Sequence, residues 1–495
     1  MNQRAAGVLL HPTSLPGRFG IGDLGPEVDR FLDWAHQAGQ SWWQVLPLGP
    51  ADGASPYNSL SAFAGNPLLI SPELLVERGW LVATELEDSP SFSTQQVDFD
   101  RVAVWKNRLL HSAWQRFQSQ ASSADQEQLQ GFLGSNDWLD DWTLFAALRA
   151  RYDGQGWWQW PPELAQREAA AMASARQSEA AEAAYQGFVQ WLFHEQWQRV
   201  RSEAAARNLG ILGDVPIYVS WNSAEVWAHP HLFELDERGM PLAVAGCPPD
   251  AYSDTGQLWG NPLYRWDRMA EDGFRWWLDR MQAALATCDR LRLDHFRGFA
   301  GYWSIPAEAE NAVDGHWEDG PGMALFEALR EALGELPLIA EDLGVITPDV
   351  DELRRNIGLP GQKVLQFAFE DPVSVHLPHN FEPASVVYTS THDSDTTRGW
   401  FETLAPDIRQ RIESYTGSTP EQMVDAFIRL AYTSVAELAI VPIQDVLGLG
   451  TEGRMNVPGT VEDNWRWRLE AEHLDAEHAE RLRTIVEVSG RLGAA

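Results

Sequence analysis

Eight short runs along the chain set apolar and β-branched residues between turn formers: GVLLH (7–11), WWQVLPL (42–48), ILGDVPIYV (211–219), RLRLD (290–294), PLIAE (337–341), VLQFAF (364–369), VVYTS (386–390) and AIVPIQD (439–445). Runs of this length and punctuation predict strands. Between many of them the apolar period becomes that of a helix. Pro26 opens one such segment, in which Val28, Phe31, Leu32 and Ala35 recur at i, i+3, i+4 and i+7 before Gly39 closes the turn. GMALFEALREALGEL (322–336) is another. Strand alternating with helix predicts parallel β/α units. Eight units is the count of a closed (β/α)8 TIM barrel of the α/β class, with a doubly wound open sheet as the alternative.

The spacing of the runs is uneven. About 160 residues separate the second from the third, in Ala-, Gln- and Glu-rich sequence such as REAAAMASARQSEAAEAAYQGFVQWLFHEQW. This predicts an inserted, mainly helical subdomain over 66–199, set into a discontinuous barrel made of 1–65 plus 200–495. About 70 residues rich in Trp, Pro, Gly and Asp separate the third run from the fourth, which predicts a long loop subdomain over 220–275. Loops of that length are usually functional when ordered. No internal repeat is evident.

Composition narrows the function. With 495 residues, 44% of them hydrophobic, the chain can bury a large core. No run approaches the ~18 apolar residues of a membrane span, and MNQRAAGVLLHPTSLPG holds too short an apolar stretch for a secretory signal. Two cysteines, Cys247 and Cys288, exclude a disulfide scaffold and suit a reduced, cytoplasmic setting. The net charge of −34 repels nucleic acid and anionic membranes but not a neutral substrate. Lys106 and Lys363 are the only lysines, and neither has the spacing of a phosphate-cradling loop. Twenty-four tryptophans offer flat apolar faces that suit sugar rings, although most are expected in the core.

In a barrel, chemistry gathers at the C-terminal ends of the strands. Four of the predicted strands bring carboxylates there. Asp214 lies within the third, Asp294 ends the fourth, Glu341 and Asp342 end the fifth, and the seventh runs into His392 and Asp393. One acid at a strand end is usually a cap, whereas several on one rim repel one another and imply a purpose. Two carboxyl groups flanking a glycosidic bond are the means of breaking it, one as ionised nucleophile and one as protonated acid. Arg292, two residues before Asp294, shares its face of the strand and favours the ionised form. Glu341 follows the apolar Leu338, Ile339 and Ala340, where poor solvation raises a carboxyl pKa and suits an acid.

Other motifs carry less. GIGDLG (20–25) and GLGTEG (448–453) fit the spacing of a dinucleotide loop, but neither stands between a strand and a helix. His229 and His231 lack the acidic partner of a metal site.

At these residues the chain resembles the amylomaltases, the 4-α-glucanotransferases or disproportionating enzymes of glycoside hydrolase family 77 in the α-amylase clan. The resemblance is carried by GVLLHPTSLPG, FGIGDLG, SPYNSLSAFAGNPLLI (55–70), GDVPIYV, GCPPDAYSDTGQLWGNPLY (246–264), RLDHFRG, IAEDLG, THDSDTT and RMNVPGT with NWRWR, and spans nearly the whole chain. It implies a (β/α)8 barrel with inserted subdomains and a retaining mechanism, with Asp294 as nucleophile, Glu341 as general acid/base and Asp393 as transition-state stabiliser. It also implies that Asp214, Arg292 and His392 surround the sugar at the cleaved bond, that Tyr57 and Trp259 contact the glucan, and that Asn464 binds substrate. Ser394 departs from the pattern, which more often has Asn. The implied partners are an α-1,4-glucan or maltooligosaccharide donor and a glucose or maltooligosaccharide acceptor, with no metal or organic cofactor, no nucleic acid and no membrane, in a monomer or weak homo-oligomer. A plain α-glucan hydrolase would use the same acids. A non-catalytic glucan binder would have no need of three acids on one rim.

Overall fold

The computed structural model describes residues 4–249, 253–460 and 462–493. Among the described residues twelve strands follow in chain order. They are β1 (Ala5–Leu9), β2 (Trp42–Gln44), β3 (Gly210–Pro216), β4 (Ala243–Cys247), β5 (Gln257–Pro262), β6 (Arg290–Asp294), β7 (Gly301–Pro306), β8 (His316–Asp319), β9 (Leu338–Ala340), β10 (Gly361–Val364), β11 (Ser385–Tyr388) and β12 (Leu438–Pro442). Eight of them close a barrel in the order β1-β12-β11-β10-β9-β6-β3-β2, every neighbour parallel. The open doubly wound sheet is thereby excluded.

Each barrel strand overlaps one predicted run, and the sixth overlaps by a single residue. Its extended part is Gly361–Val364, while Leu365–Phe367 coils into a 3-10 turn. The run is apolar because Leu365, Ala368 and Phe369 fill the core, not because it is extended.

Alternate strand residues point into the barrel. Leu9, Leu212, Ile339, Val364, Val386, Tyr388, Leu438 and Ile440 form one buried cluster there. A polar ladder joins it. Arg290 pairs with Glu437 at 2.5 Å, and Arg292 and Asp294 succeed it along β6. Trp43 on β2 and Trp191, Trp197, Trp227 and Trp277 on the helices are fully buried, which accounts for part of the tryptophan excess.

The segment between β2 and β3 is helical, as expected, but the boundary drawn at 199–200 falls inside one continuous helix, Ala180–Ala206. Its C-terminal part belongs to the barrel wall: Trp197 packs on Trp43 of β2, and Arg199 pairs with Asp29 at 3.0 Å. Helix Phe99–Gln120 is tied to the barrel by Lys106. Its buried Nζ donates to Asp23 Oδ2 at 3.0 Å and to the carbonyls of Leu68 at 2.8 Å and Ile70 at 3.0 Å.

The expected loop subdomain over 220–275 is only partly loop. β4 and β5 lie within it and join β7 and β8 in an antiparallel sheet of order β5-β4-β7-β8. Of the 246–264 stretch, residues 250–252 lie outside the described residues. No helix among the described residues is long and apolar enough to cross a membrane.

Candidate active site

The side chains at the C-terminal barrel rim converge on one guanidinium. Arg292 Nη1 contacts both oxygens of Asp214, at 2.9 and 2.7 Å, and Asp294 Oδ1 at 2.8 Å. Arg292 Nη2 lies 4.0 Å from Glu341 Oε2, and Nε donates to Gln362 Oε1 at 3.3 Å. Burial alone pulls the Arg292 pKa down, but Asp214 and Asp294 more than offset this and hold it well above the ordinary arginine value. The β-strand period explains the convergence. Asp214 on β3 and Arg292 on β6 are register partners, and both point inward with Asp294.

Glu341 follows β9 directly, and backbone donors fix its carboxyl. His295 N–H donates to Oε2 at 2.7 Å and Leu343 N–H to Oε1 at 2.9 Å. The first requires His295 to adopt a left-handed conformation, φ 50°, straight after Asp294. Such a conformation is uncommon away from glycine and occurs at sites that need it. Burial, with Asp294 adding repulsion, pushes Glu341 up to about 8 against the pull of Arg292 and the two N–H donors. Burial likewise pushes Asp214 up to about 7, opposed by Arg292.

Tyr57 extends the cluster. Its hydroxyl donates to Asp214 Oδ2 at 2.8 Å and lies 2.9 Å from His392 Nε2, with the two rings stacked. Burial, then the charge of Asp214, raises the Tyr57 pKa, so the hydroxyl stays protonated. Burial lowers the His392 pKa and keeps it neutral. A phenol proton spent on Asp214 leaves its oxygen to accept, which selects the Nε2–H tautomer of His392. His392 Nε2 is also 3.4 Å from Asp393 Oδ2. Asp393 therefore joins the cluster through His392 and Tyr57, with a half-exposed side chain open to a ligand.

A family model described as 4-alpha-glucanotransferase matches residues 10–474. The chain belongs to the 4-α-glucanotransferase family. Among curated members, it is 48% identical to the 4-alpha-glucanotransferase of Thermus thermophilus, over 99% of both chains. It is 46% identical to the chloroplastic/amyloplastic 4-alpha-glucanotransferase of Solanum tuberosum, over 99% of this chain and 87% of that one. Among solved structures, an amylomaltase from Streptococcus agalactiae in complex with acarbose superposes with TM-score 0.96 at 37% identity, covering 99% of this chain and 100% of that one.

Within this glucanotransferase frame two expected residues have other surroundings. Trp259 lies on β5 rather than in a loop. Its ring meets His295 edge-on at 4.8 Å, Tyr218 lies at 6.3 Å, and 36% of its surface is open. Asn464, expected on the substrate, holds its own loop together. Its Oδ1 accepts from Val457 N–H at 2.9 Å, and its Nδ2 donates to Thr460 O at 2.9 Å and Thr460 Oγ1 at 3.0 Å. The amide that does reach an acid is Asn456, whose Nδ2 donates to Asp393 Oδ1 at 2.7 Å. RMNVPGT contains it, but spacing alone does not say which of two asparagines faces the rim. Gln362 was also missed, hidden by misplacement of the β10 run. Ser394 spans its turn, donating to Thr391 O and accepting from Thr391 N–H.

The remaining motifs resolve structurally. In GIGDLG, a Cβ on Gly22 would lie 2.0 Å from Pro12 O, and Asp23 is the partner of Lys106, so packing uses the glycines. His229 precedes the 3-10 turn Pro230–Leu232 and His231 lies within it.

Proposed function

We propose that this glucanotransferase works by a retaining double displacement on α-1,4-glucans, with Asp294 as nucleophile and Glu341 as acid/base. The observation that carries the reading is the asymmetry of the two carboxyls around Arg292. Asp294 touches the guanidinium at 2.8 Å, whereas Glu341 stands 4.0 Å away, buried and pushed up to about 8. The first favours a carboxylate and the second a carboxylic acid at neutral pH.

In the first half, an Asp294 oxygen attacks the anomeric carbon while Glu341 gives its proton to the departing glycosidic oxygen. A shortened glucan or glucose leaves, and a β-linked glycosyl ester remains on Asp294. That ester is neutral, so Glu341 loses the repulsion that favoured its proton while the attraction of Arg292 persists. It is then a carboxylate able to take the proton of an incoming 4-hydroxyl, and the α-1,4 bond reforms on the acceptor. Asp393, held by Asn456 and His392, faces the sugar hydroxyls with its exposed carboxylate. Asp214 and Tyr57 orient Arg292 and His392.

Transfer rather than hydrolysis requires acceptor sugar to outcompete water. Trp259, edge-on to the residue following the nucleophile, supplies an apolar surface for it. The acceptor is glucose or a maltooligosaccharide. One chain supplies every group of the cluster, so a monomer suffices. A cysteine pair without a disulfide scaffold suits the cytoplasm.

Incubation with maltotriose tests the reading. A ladder of longer oligosaccharides, abolished by Asp294→Asn, is expected. Glucose and maltose alone would show hydrolysis instead, and turnover by Glu341→Gln at the wild-type rate would remove Glu341 as the proton donor.

A further inference from the structure

His392 and Asp393 lie in a turn, residues 391–396, between the end of β11 and the helix Thr397–Thr403. One carboxyl outside the cluster around Arg292 holds both ends of that turn. On the upstream side, Thr389 Oγ1 donates to Asp445 Oδ2 at 2.6 Å and Ser390 Oγ donates to it at 2.7 Å. On the downstream side, Thr397 Oγ1 donates to the same oxygen at 2.7 Å, and Thr397 N–H donates to Oδ1 at 2.7 Å. Asp445 reaches them from the short helix Ile443–Val446, which follows β12, the barrel neighbour of β11. All four residues are buried. Burial pushes the Asp445 pKa up, and the hydroxyls of Ser390 and Thr389 with the N–H of Thr397 pull the other way. A buried carboxyl is costly unless hydrogen-bonded, so this one is retained only with its donors in place.

The clamp begins where the strand pairing stops. β11 and β12 are joined by their own register as far as Tyr388 and Ile440, and Thr389 and Ser390 are the next residues along the chain. The barrel wall is therefore closed without Asp445. Inside the clamp, Asp393 N–H donates to Thr391 Oγ1 at 3.3 Å, and Ser394 Oγ bonds both polar groups of the Thr391 backbone. Those contacts shape the turn but do not set its place on the barrel. Gln366 Nε2 on Asp395 O and Thr451 Oγ1 on Asp395 Oδ2, both at 2.8 Å, reach it from other elements, but at a residue downstream of Asp393. Asp445 alone holds the chain on both sides of His392 and Asp393 at once.

We propose that Asp445 is a positioning residue for the reaction: by gathering Ser390 and Thr397 on one carboxyl it sets the place of Asp393, and of His392 beside it, against the sugar. The proposal rests on the glucanotransferase reading and, within it, on the part given to Asp393. An amide cannot replace the clamp. Turned one way its NH2 meets the Thr397 N–H, and turned the other way it meets the three hydroxyls.

Steady-state kinetics on maltotriose test it. Asp445→Asn is expected to lower kcat about 30-fold, roughly one hydrogen bond to a charged group, with KM changed less than about 2-fold. In an Asp393→Asn background the same substitution should cost about 5-fold at most, because the group it places is already lost. Equal losses in the two backgrounds, a rise in KM in place of the fall in kcat, or a wild-type rate for Asp445→Asn overturns the proposal. An Asp393→Asn variant as active as the wild type would instead remove Asp393 from the mechanism. Where Asp393→Asn is too slow to measure, Asn456→Ala, which loosens the same carboxylate, takes its place with the same two outcomes. If Asp445→Asn does not fold, Thr397 carries the test. Thr397→Ser keeps the hydroxyl and should retain the rate, whereas Thr397→Val keeps the shape and should lose about 10-fold in kcat. Equal rates for those two variants overturn the proposal.

Discussion

Replacing Asp294 by Asn offers a way to observe the second half of the cycle without any chemistry, because the amide carries the same zero charge as the glycosyl ester. In the resting site Glu341 is pushed from 4.5 to about 8 by burial and then by Asp294. Asp294 lies 2.8 Å from one terminal nitrogen of Arg292 and Glu341 4.0 Å from the other, and the two are taken at the roughly 5.5 Å spacing of a retaining pair. At an effective dielectric of about 20 they repel by about 3 kcal/mol. At about 1.4 kcal/mol per tenfold change in proton affinity, Asp294→Asn is expected to bring the Glu341 midpoint down by about 2 on the pH scale. Isotope-edited infrared spectroscopy of the protonated carboxyl, assigned with Glu341→Gln, measures it. Stability gives a second readout. The folded chain holds this proton more tightly than the unfolded chain, so the protonated Glu341 contributes stability that is full below 4.5 and is lost as pH rises through about 8. In Asp294→Asn that loss is complete about 2 pH units earlier. A Glu341 midpoint that stays in place or rises in Asp294→Asn refutes the account of how one residue serves as acid and then as base.

The asparagine pair gives a second expectation. Asn464→Ala removes the staple that holds the 457–464 loop and with it the placement of Asn456 on Asp393, so kcat/KM should fall about 10-fold, corresponding to roughly one or two lost hydrogen bonds. Asn456→Ala should fall by a similar factor, and the double variant by little more than either. Additive losses would separate the two residues. Lys106→Met leaves Asp23 and two carbonyls buried without their donor. It should cost about 3–5 kcal/mol in urea unfolding. Adding Asp23→Asn should recover part of the loss, and a cost below about 1 kcal/mol would mean that the buried pair is not coupled.

Much of the barrel was legible because its strands announce themselves locally, by short apolar runs ending in turns. The acids were legible for a related reason: Asp294 and Glu341 each end such a run and Asp214 lies within one, where the fold allows side chains to meet. What escaped depended on long-range packing. β4, β5, β7 and β8 are only four to six residues long, so only their mutual pairing identifies them. The β10 run was drawn three residues late because burial of Leu365 and Phe369 gives a 3-10 turn the composition of a strand. The choice between Asn456 and Asn464 turns on which amide the loop consumes for itself, and no local pattern encodes that.

The helix Ala180–Ala206 has one end in the insert and the other against β2 and β3. A single uninterrupted rod cannot fray at its midpoint without breaking backbone hydrogen bonds in both parts, so insert and barrel share one melting event. Swapping the 66–199 segment between homologues, or trimming it to make a minimal scaffold, therefore needs its seams placed before Ala180 or after Ala206, because a graft that cuts between them severs the element the two parts hold in common.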